Sequence, residues 1–427
     1  MLFTISILFC IAYACIALEN VIKINKSAIA IISGILCWVL LIAMPENGQA
    51  IKLRFFEQTA EIAGILFFLM GAMTIVEIVD LHQGFSVVTA LLSKGSKLRL
   101  LWLIGLIGFF LSAVLDNLTT TIVMVSVLSK ILSKRDDLLL FTGVTIISVN
   151  AGGAWSPIGD VTTTMLWIGG QITTMSIVAK CLVPSLVCTV VTLVWASVSL
   201  GKDGGNSLEI ALENNIDKRD RKDSVIVFFL GVCGLLFVPV FKMMTGLPPY
   251  AGMMFVLGLV WLAVELLHLS KSEEYRQNKS VASALERIDL QSILFFLGIL
   301  LSVGALQTVG ALPRLASWLD HTFANIDVIV ITIGLLSSIV DNVPLVAAGI
   351  KMYPLSQFGT NHHFWSFLAF CAGTGGSILV IGSAAGVAAM GMTKMDFFWY
   401  CRKISPMALV GYFAGCAAYL GMTGLFH

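Results

Sequence analysis

The sequence predicts an all-α polytopic membrane protein built from two inverted-topology repeats. Each repeat is expected to hold a re-entrant helical hairpin and a Gly-interrupted transmembrane helix. The apolar segment lengths suggest about ten full crossings plus two hairpins. Three observations carry this reading: an oil-like composition, landmarks that recur at a near-constant shift, and two Asp-Asn pairs set inside apolar runs.

Of 427 residues, 58% are hydrophobic and 12% charged, with a net charge of +1 and a mean hydropathy of +0.94. Soluble domains carry about 25% charged residues. Apolar stretches of roughly 17–25 residues, each able to cross a bilayer as a helix, recur along the whole chain. Membrane lipid is therefore the expected surrounding, and a nearly neutral chain offers no basic face for nucleic acid. The nine cysteines show no C-x-x-C spacing and mostly sit in apolar segments, so they read as small buried hydrophobes. The opening "MLFTISILFCIAYACIALEN" contains Ala12-Tyr13-Ala14, like a cleavage site, but lacks a basic n-region and reads as the first transmembrane helix.

The repeat shows in three landmarks. "GILFFLMG" at 64–71 is echoed by "SILFFLGI" at 292–299, and "SAVLDN" at 112–117 by "SSIVDN" at 337–342. "NAGGAWSPIGD" at 150–160 is echoed more loosely by "AGTGGSILVIGSAAG" at 372–386. The shifts are 228 from Phe67 to Phe295, 225 from Asp116 to Asp341, and 223 from Gly153 to Gly376. The first repeat is assigned to 1–199, with its hairpin at 98–132 and broken helix at 138–170; a cytoplasmic linker covers 200–222. The second repeat covers 223–427, with its hairpin at 328–353 and broken helix at 364–392.

The hairpin reading rests on length and charge. Leu100 to Leu115 makes about 24 Å of helix, short of a core of about 30 Å, and Leu118 to Leu132 is similar. Lys94, Lys97 and Arg99 precede the run, and Lys130, Lys134 and Arg135 follow it. The positive-inside rule places both ends in the cytoplasm, as a hairpin does and a single crossing does not. Carried through the chain, this topology puts 20 of the 26 Lys and Arg on the cytoplasmic side and both termini outside.

A carboxylate inside a membrane is costly, so Asp116, Asp160 and Asp341 are functional candidates. Around them stand Asn117, Thr119, Asn150, Ser156 and Asn342, with Thr374, Ser377 and Ser383 in the later glycine-rich break. Hard oxygen donors suit a small hard cation such as Na⁺, assigned to Asp116, Asn117, Asp341 and Asn342. A desolvated carboxylate can hold either a proton or a cation, the basis for exchanging one for the other. No cofactor is expected: Na⁺ and H⁺ are the expected transported ions. Glu77, Asp80 and His82, near the cytoplasmic end of the third helix, are candidates for sensing pH. Many membrane Ser and Thr only bond back to their own helix or pack between helices.

"LDNLTTTIVM", "NAGGAWSPIGDVTTTMLWIGG" and "SSIVDNVPLVAA" resemble NhaD-type sodium/proton antiporters of the ion transporter superfamily. The resemblance spans essentially the whole chain. It implies a secondary transporter, not an enzyme, that exports Na⁺ and also Li⁺ against H⁺ by an elevator-like movement of the hairpin domain. It further implies a homodimer in a bacterial inner membrane. Dicarboxylate carriers of the superfamily have neutral Ser-Asn-Thr tips, whereas this chain has Asp116-Asn117-Leu118-Thr119 and Asp341-Asn342-Val343-Pro344. An anion carrier, of dicarboxylate or arsenite type, is thus the first rival. An intramembrane aspartyl protease is a distant second, because Gly159-Asp160 follows Pro157-Ile158 rather than a Gly-x-Gly-Asp-like site.

Overall fold

The computed structural model describes residues 2–17, 19–43, 48–86, 96–200, 218–269, 271–323 and 325–425. Among these the chain is helical throughout. Helices α1 (Leu2–Ala17), α2 (Lys26–Ile42) and α3 (Gly48–Leu81) are followed by the pair α4 (Lys97–Leu115) and α5 (Asn117–Ile131). Next come α6 (Arg135–Gly153), α7 (Val161–Ile168) and α8 (Thr174–Leu200). The second half contains α9 (Lys218–Thr245), α10 (Pro249–His268), α11 (Leu290–Thr308), α12 (Ala311–Phe323) and α13 (Ile326–Leu336). It closes with α14 (Asn342–Met352), α15 (His363–Gly375), α16 (Ala384–Thr393), α17 (Phe397–Lys403) and α18 (Ser405–Leu425). Of the expected linker, residues 201–217 lie outside the described residues, as does Lys94.

Seven helices among the described residues are long and apolar enough to cross a membrane. The pair Ala311–Phe323 and Ile326–Leu336, bent by 115°, would make eight. Shorter apolar helices stand beside these among the described residues, because apolar segments are subdivided. Helices α1 and α2 have 16 and 17 residues. The Gly-interrupted segments are split into α6 and α7, and into α15 and α16.

The helices pack as two groups. In one, α1, α2, α3, α9, α10 and α11 lie against each other; in the other, α4, α5, α6 and α8 pack with each other, as do α13, α15 and α18, with α8 against α18 and α7 against α14 and α15. The first group is tight where α2 crosses α11. A Cβ on Gly34 would stand 2.5 Å from the Gly298 carbonyl oxygen. Trp38 Nε1 donates to Leu301 O at 2.9 Å, and the Ser33 and Ser302 hydroxyls meet at 3.1 Å. Small residues let helix backbones approach this closely, which suits a setting where lipid supplies no hydrophobic drive between helices.

The second group is locked by two similar arrangements. Ser112 Oγ donates to Val149 O, and Ser337 Oγ to Ala372 O, both at 2.6 Å. A Cβ on Gly152 would meet the Phe109 carbonyl, and one on Gly375 would meet that of Gly334. These partners lie 225 and 223 residues apart, the shifts read in the sequence. The contacts hold each α4–α5 or α13–α14 break against the following interrupted helix. Gly375→Ala is expected to cost more than about 2 kcal/mol, because backbone cannot yield as a flexible side chain can. A lowered melting temperature of the detergent-purified protein would register it. Gly258→Ala, which meets nothing within 4 Å, serves as the control.

Candidate cation site

Four helices begin at the breaks, and each has a polar cap. Asp116 caps α5, Asp160 caps α7, Asp341 caps α14 and Ser383 caps α16. These side chains accept hydrogen bonds from the otherwise orphaned N–H groups of a helix start. Asp116 takes Thr119 N–H at 2.8 Å and Thr119 Oγ1–H at 2.9 Å. Its backbone lies at φ +82°, a left-handed conformation for a residue with a Cβ. Strain of this kind costs about 1–3 kcal/mol and persists where surrounding contacts over-determine it.

Asp160 is the centre of the arrangement, with 2% of its surface exposed. Its Oδ1 accepts from Thr162 N at 2.8 Å and from Thr162 Oγ1 at 2.9 Å. Its Oδ2 accepts from Asn117 Nδ2 at 2.8 Å and Asn342 Nδ2 at 3.3 Å. The amides of both Asp-Asn pairs therefore converge on one buried carboxylate. Asn150 extends the network: its Oδ1 accepts from Asn117 Nδ2 at 3.1 Å, and its Nδ2 donates to Ser377 and Ser383 Oγ, both at 2.9 Å. Asp341 Oδ1 accepts from Val343 N at 3.3 Å.

A cavity of about 50 Å³ between the two helix groups reaches Asp116, Asn117 and Asp160 of this network. Asp116, Asn117 and Asp160 line it on one side, and Phe68, Met253 and Phe296 on the other. It has room for a small ion or one to two waters, since a water occupies about 30 Å³. A helix start carries about half a positive charge. Four such ends against three carboxylates leave about one negative charge, the complement of one monovalent cation.

Not every candidate joins this centre. Ser156 Oγ accepts from Ile158 N at 3.3 Å, which shapes the break between α6 and α7. Thr374 Oγ1 bonds back to Phe370 O at 2.6 Å, within its own helix. Glu77 lies 3.9 Å from Arg287 and Asp80 is exposed, and neither lines the cavity. His82 is buried and pairs Nε2 to Nε2 with His268 at 2.9 Å, a partner local sequence reading does not reveal. Its Nδ1 meets Ile78 O at 2.7 Å. A carbonyl only accepts, so Nδ1 carries the proton and Nε2 of neutral His82 accepts from His268. Ser383 was visible as one hydroxyl in a glycine-rich run, but its capping role needs the helix start to be located.

Comparison with known proteins now decides the family. The family model described as "Citrate transporter" matches residues 5–363. The chain belongs to this family. Within it, the chain is 47% identical to "Sodium/proton antiporter 1" of Arabidopsis thaliana, over 98% of this chain and 72% of that protein. It is 44% identical to "Sodium/proton antiporter 2" of the same plant, over 98% and 99%. It is 30% identical to "Na(+)/H(+) antiporter NhaD" of Halomonas elongata, over 97% and 87%. The NhaD-type resemblance read from the motifs thus holds over nearly the whole chain, and this family member is a secondary transporter rather than an enzyme.

Asn150→Ala removes one acceptor and two donors from a fully buried network. It is expected to cost about 1–3 kcal/mol per stranded group, measured as a lower melting temperature. A second expectation concerns His82, whose pKa burial pushes down to about 4. Below its ordinary value of 6.5 the unfolded chain takes up a proton that the folded protein refuses until about 4, so stability falls as pH drops through that window. His82→Gln should flatten the decline in melting temperature across this window, followed by differential scanning fluorimetry.

Proposed function

We propose that this family member exchanges Na⁺, and Li⁺ through the same oxygen chemistry, for H⁺ across a membrane. The observation that carries the reading is the Asp160 carboxylate, held under Asn117 and Asn342 and facing a cavity shared with Asp116. Oxygen donors at one place, with a residual charge of about minus one, suit one hard monovalent cation. The same carboxylates can take protons when the cation leaves, because burial disfavours their bare charged form. Competition between proton and cation for one set of carboxylates yields exchange without any covalent step. The sodium/proton antiporter names of the relatives point the same way.

The division into two helix groups supports an elevator-like movement, in which α4 to α8 and α13 to α18 travel past α2, α3, α10 and α11. Inverted-topology repeats, hairpins entering from opposite faces, and a homodimer are part of the same proposal. Helices α9 and α10 have 28% and 33% of their spans buried, which leaves surface for lipid and for a second copy of the chain. A bacterial inner membrane is the host membrane we propose; relatives come from both a bacterium and a plant. Citrate, named by the family model, is disfavoured by like charge: carboxylates stand at both breaks.

The test is dequenching of a pH-sensitive dye in everted vesicles energised to an acid interior. Addition of Na⁺ or Li⁺ is expected to collapse the gradient, while citrate is not. Asp116→Asn, Asp160→Asn and Asp341→Asn should each reduce the Na⁺ response to that of vesicles lacking the protein. Full exchange in all three variants would overturn the site, and citrate-driven uptake without a cation response would overturn the function.

A further inference from the structure

The α2 helix opens with Lys26, whose Nζ stands 3.9 Å from Asp341 Oδ2. The ammonium lies 4.6 Å from the centre of the Phe295 ring on α11. The backbone beneath it is fixed from three sides. Asn25 caps α2 through Ser27 N–H, Ser27 Oγ donates to Gln291 O at 2.9 Å, and Lys26 N–H donates to Glu19 Oε1 at 3.1 Å. Glu19 is thereby engaged at the helix start. Among the described residues, the ion-pair partner of the Lys26 ammonium is Asp341.

Two features set this pair apart from a packing contact. It lies at the boundary of the two helix groups, since α2 packs within one and α14 sits between α11 of that group and α7 and α15 of the other. It is also loose: charge-assisted N–H···O contacts close to about 2.7–2.9 Å, and this one stands open at 3.9 Å. The side chains are 23% and 17% exposed, so the ammonium has somewhere to go. Asp116 has no such partner in α10, which begins Pro249-Tyr250-Ala251-Gly252; it is held by Thr119 instead.

We propose that Lys26 is a tethered stand-in for the transported cation, pairing with Asp341 in the empty carrier and giving way when Na⁺ takes that carboxylate. The inference rests on the reading of the Asp-Asn breaks as the Na⁺ site. Four helix ends against three carboxylates leave about one negative charge, and the Lys26 ammonium cancels it. An arriving Na⁺ therefore meets a site that is already neutral and must displace the ammonium to bind. Lys26 acts through Asp341 and is a positioning residue. It weakens Na⁺ binding and speeds Na⁺ release by offering the carboxylate a replacement partner.

Lys26→Met keeps an apolar stem over Phe295 and removes the charge; Lys26→Arg keeps a cation. The Na⁺ concentration dependence of dye dequenching in everted vesicles separates KM from maximal rate. For Lys26→Met the KM for Na⁺ is expected to fall about tenfold, the effect of about 1.4 kcal/mol, with a lower maximal rate. Lys26→Arg should bring the KM back up. The Na⁺ concentration that half-saturates thermal stabilisation of the purified protein should fall in parallel, without reliance on transport. An unchanged or raised KM in Lys26→Met, with or without a lower rate, overturns the proposal while wild-type exchange stands. A wild type that gives no Na⁺ response overturns the exchange reading and this inference together.

Discussion

The structure depends on one buried carboxylate having enough partners. Asp160 sits in a chain that elsewhere excludes charge from its apolar segments, and an unpaired charge there would cost several kcal/mol. Four donors from Thr162, Asn117 and Asn342 meet that need. Two of those donors come from breaks in opposite halves of the sequence. The fold therefore has to bring Asn117 and Asn342 to one place, and the packing of α4 to α7 and α13 to α16 follows from that demand.

Close backbone approach is how the fold meets it. Glycines at 152 and 375 let the interrupted helices lie directly on α4 and α13, and two serine hydroxyls tie the same crossings. Side chains in those positions would hold the breaks apart, and the amides would miss Asp160. The packing is thus part of the electrostatics. A cavity between two helix groups remains, walled by aromatic and aliphatic residues on one side and by carboxylates on the other.

Much of this was legible in the sequence, because a carboxylate in an apolar run is visible without any knowledge of its neighbours. Asp116 and Asp341 announced the two helix breaks, and Gly153, Pro157 and Gly376 announced the interrupted helices. Contacts between distant segments were not legible. Nothing in the sequence around Lys26 links it to Asp341, 315 positions later. His268 was invisible as the partner of His82 for the same reason. That the Thr374 hydroxyl donates to its own helix was not legible, because composition does not show where a hydroxyl points its proton. Where each apolar run divides was not legible either, because hydropathy measures apolar length and is blind to a helix break.

A single residue, Asp116, separates α4 from α5, so no slack exists at this break. One residue inserted at the start of α5 would turn the later side chains of that helix by about 100° relative to the Asp116 cap. Thr119 would leave its carboxylate, and Asn117 would turn from Asp160. Substitutions there alter chemistry one group at a time, whereas a change of length scrambles every contact together. Gain or loss of single codons should therefore be purged from this stretch more severely than exchange of one side chain for another.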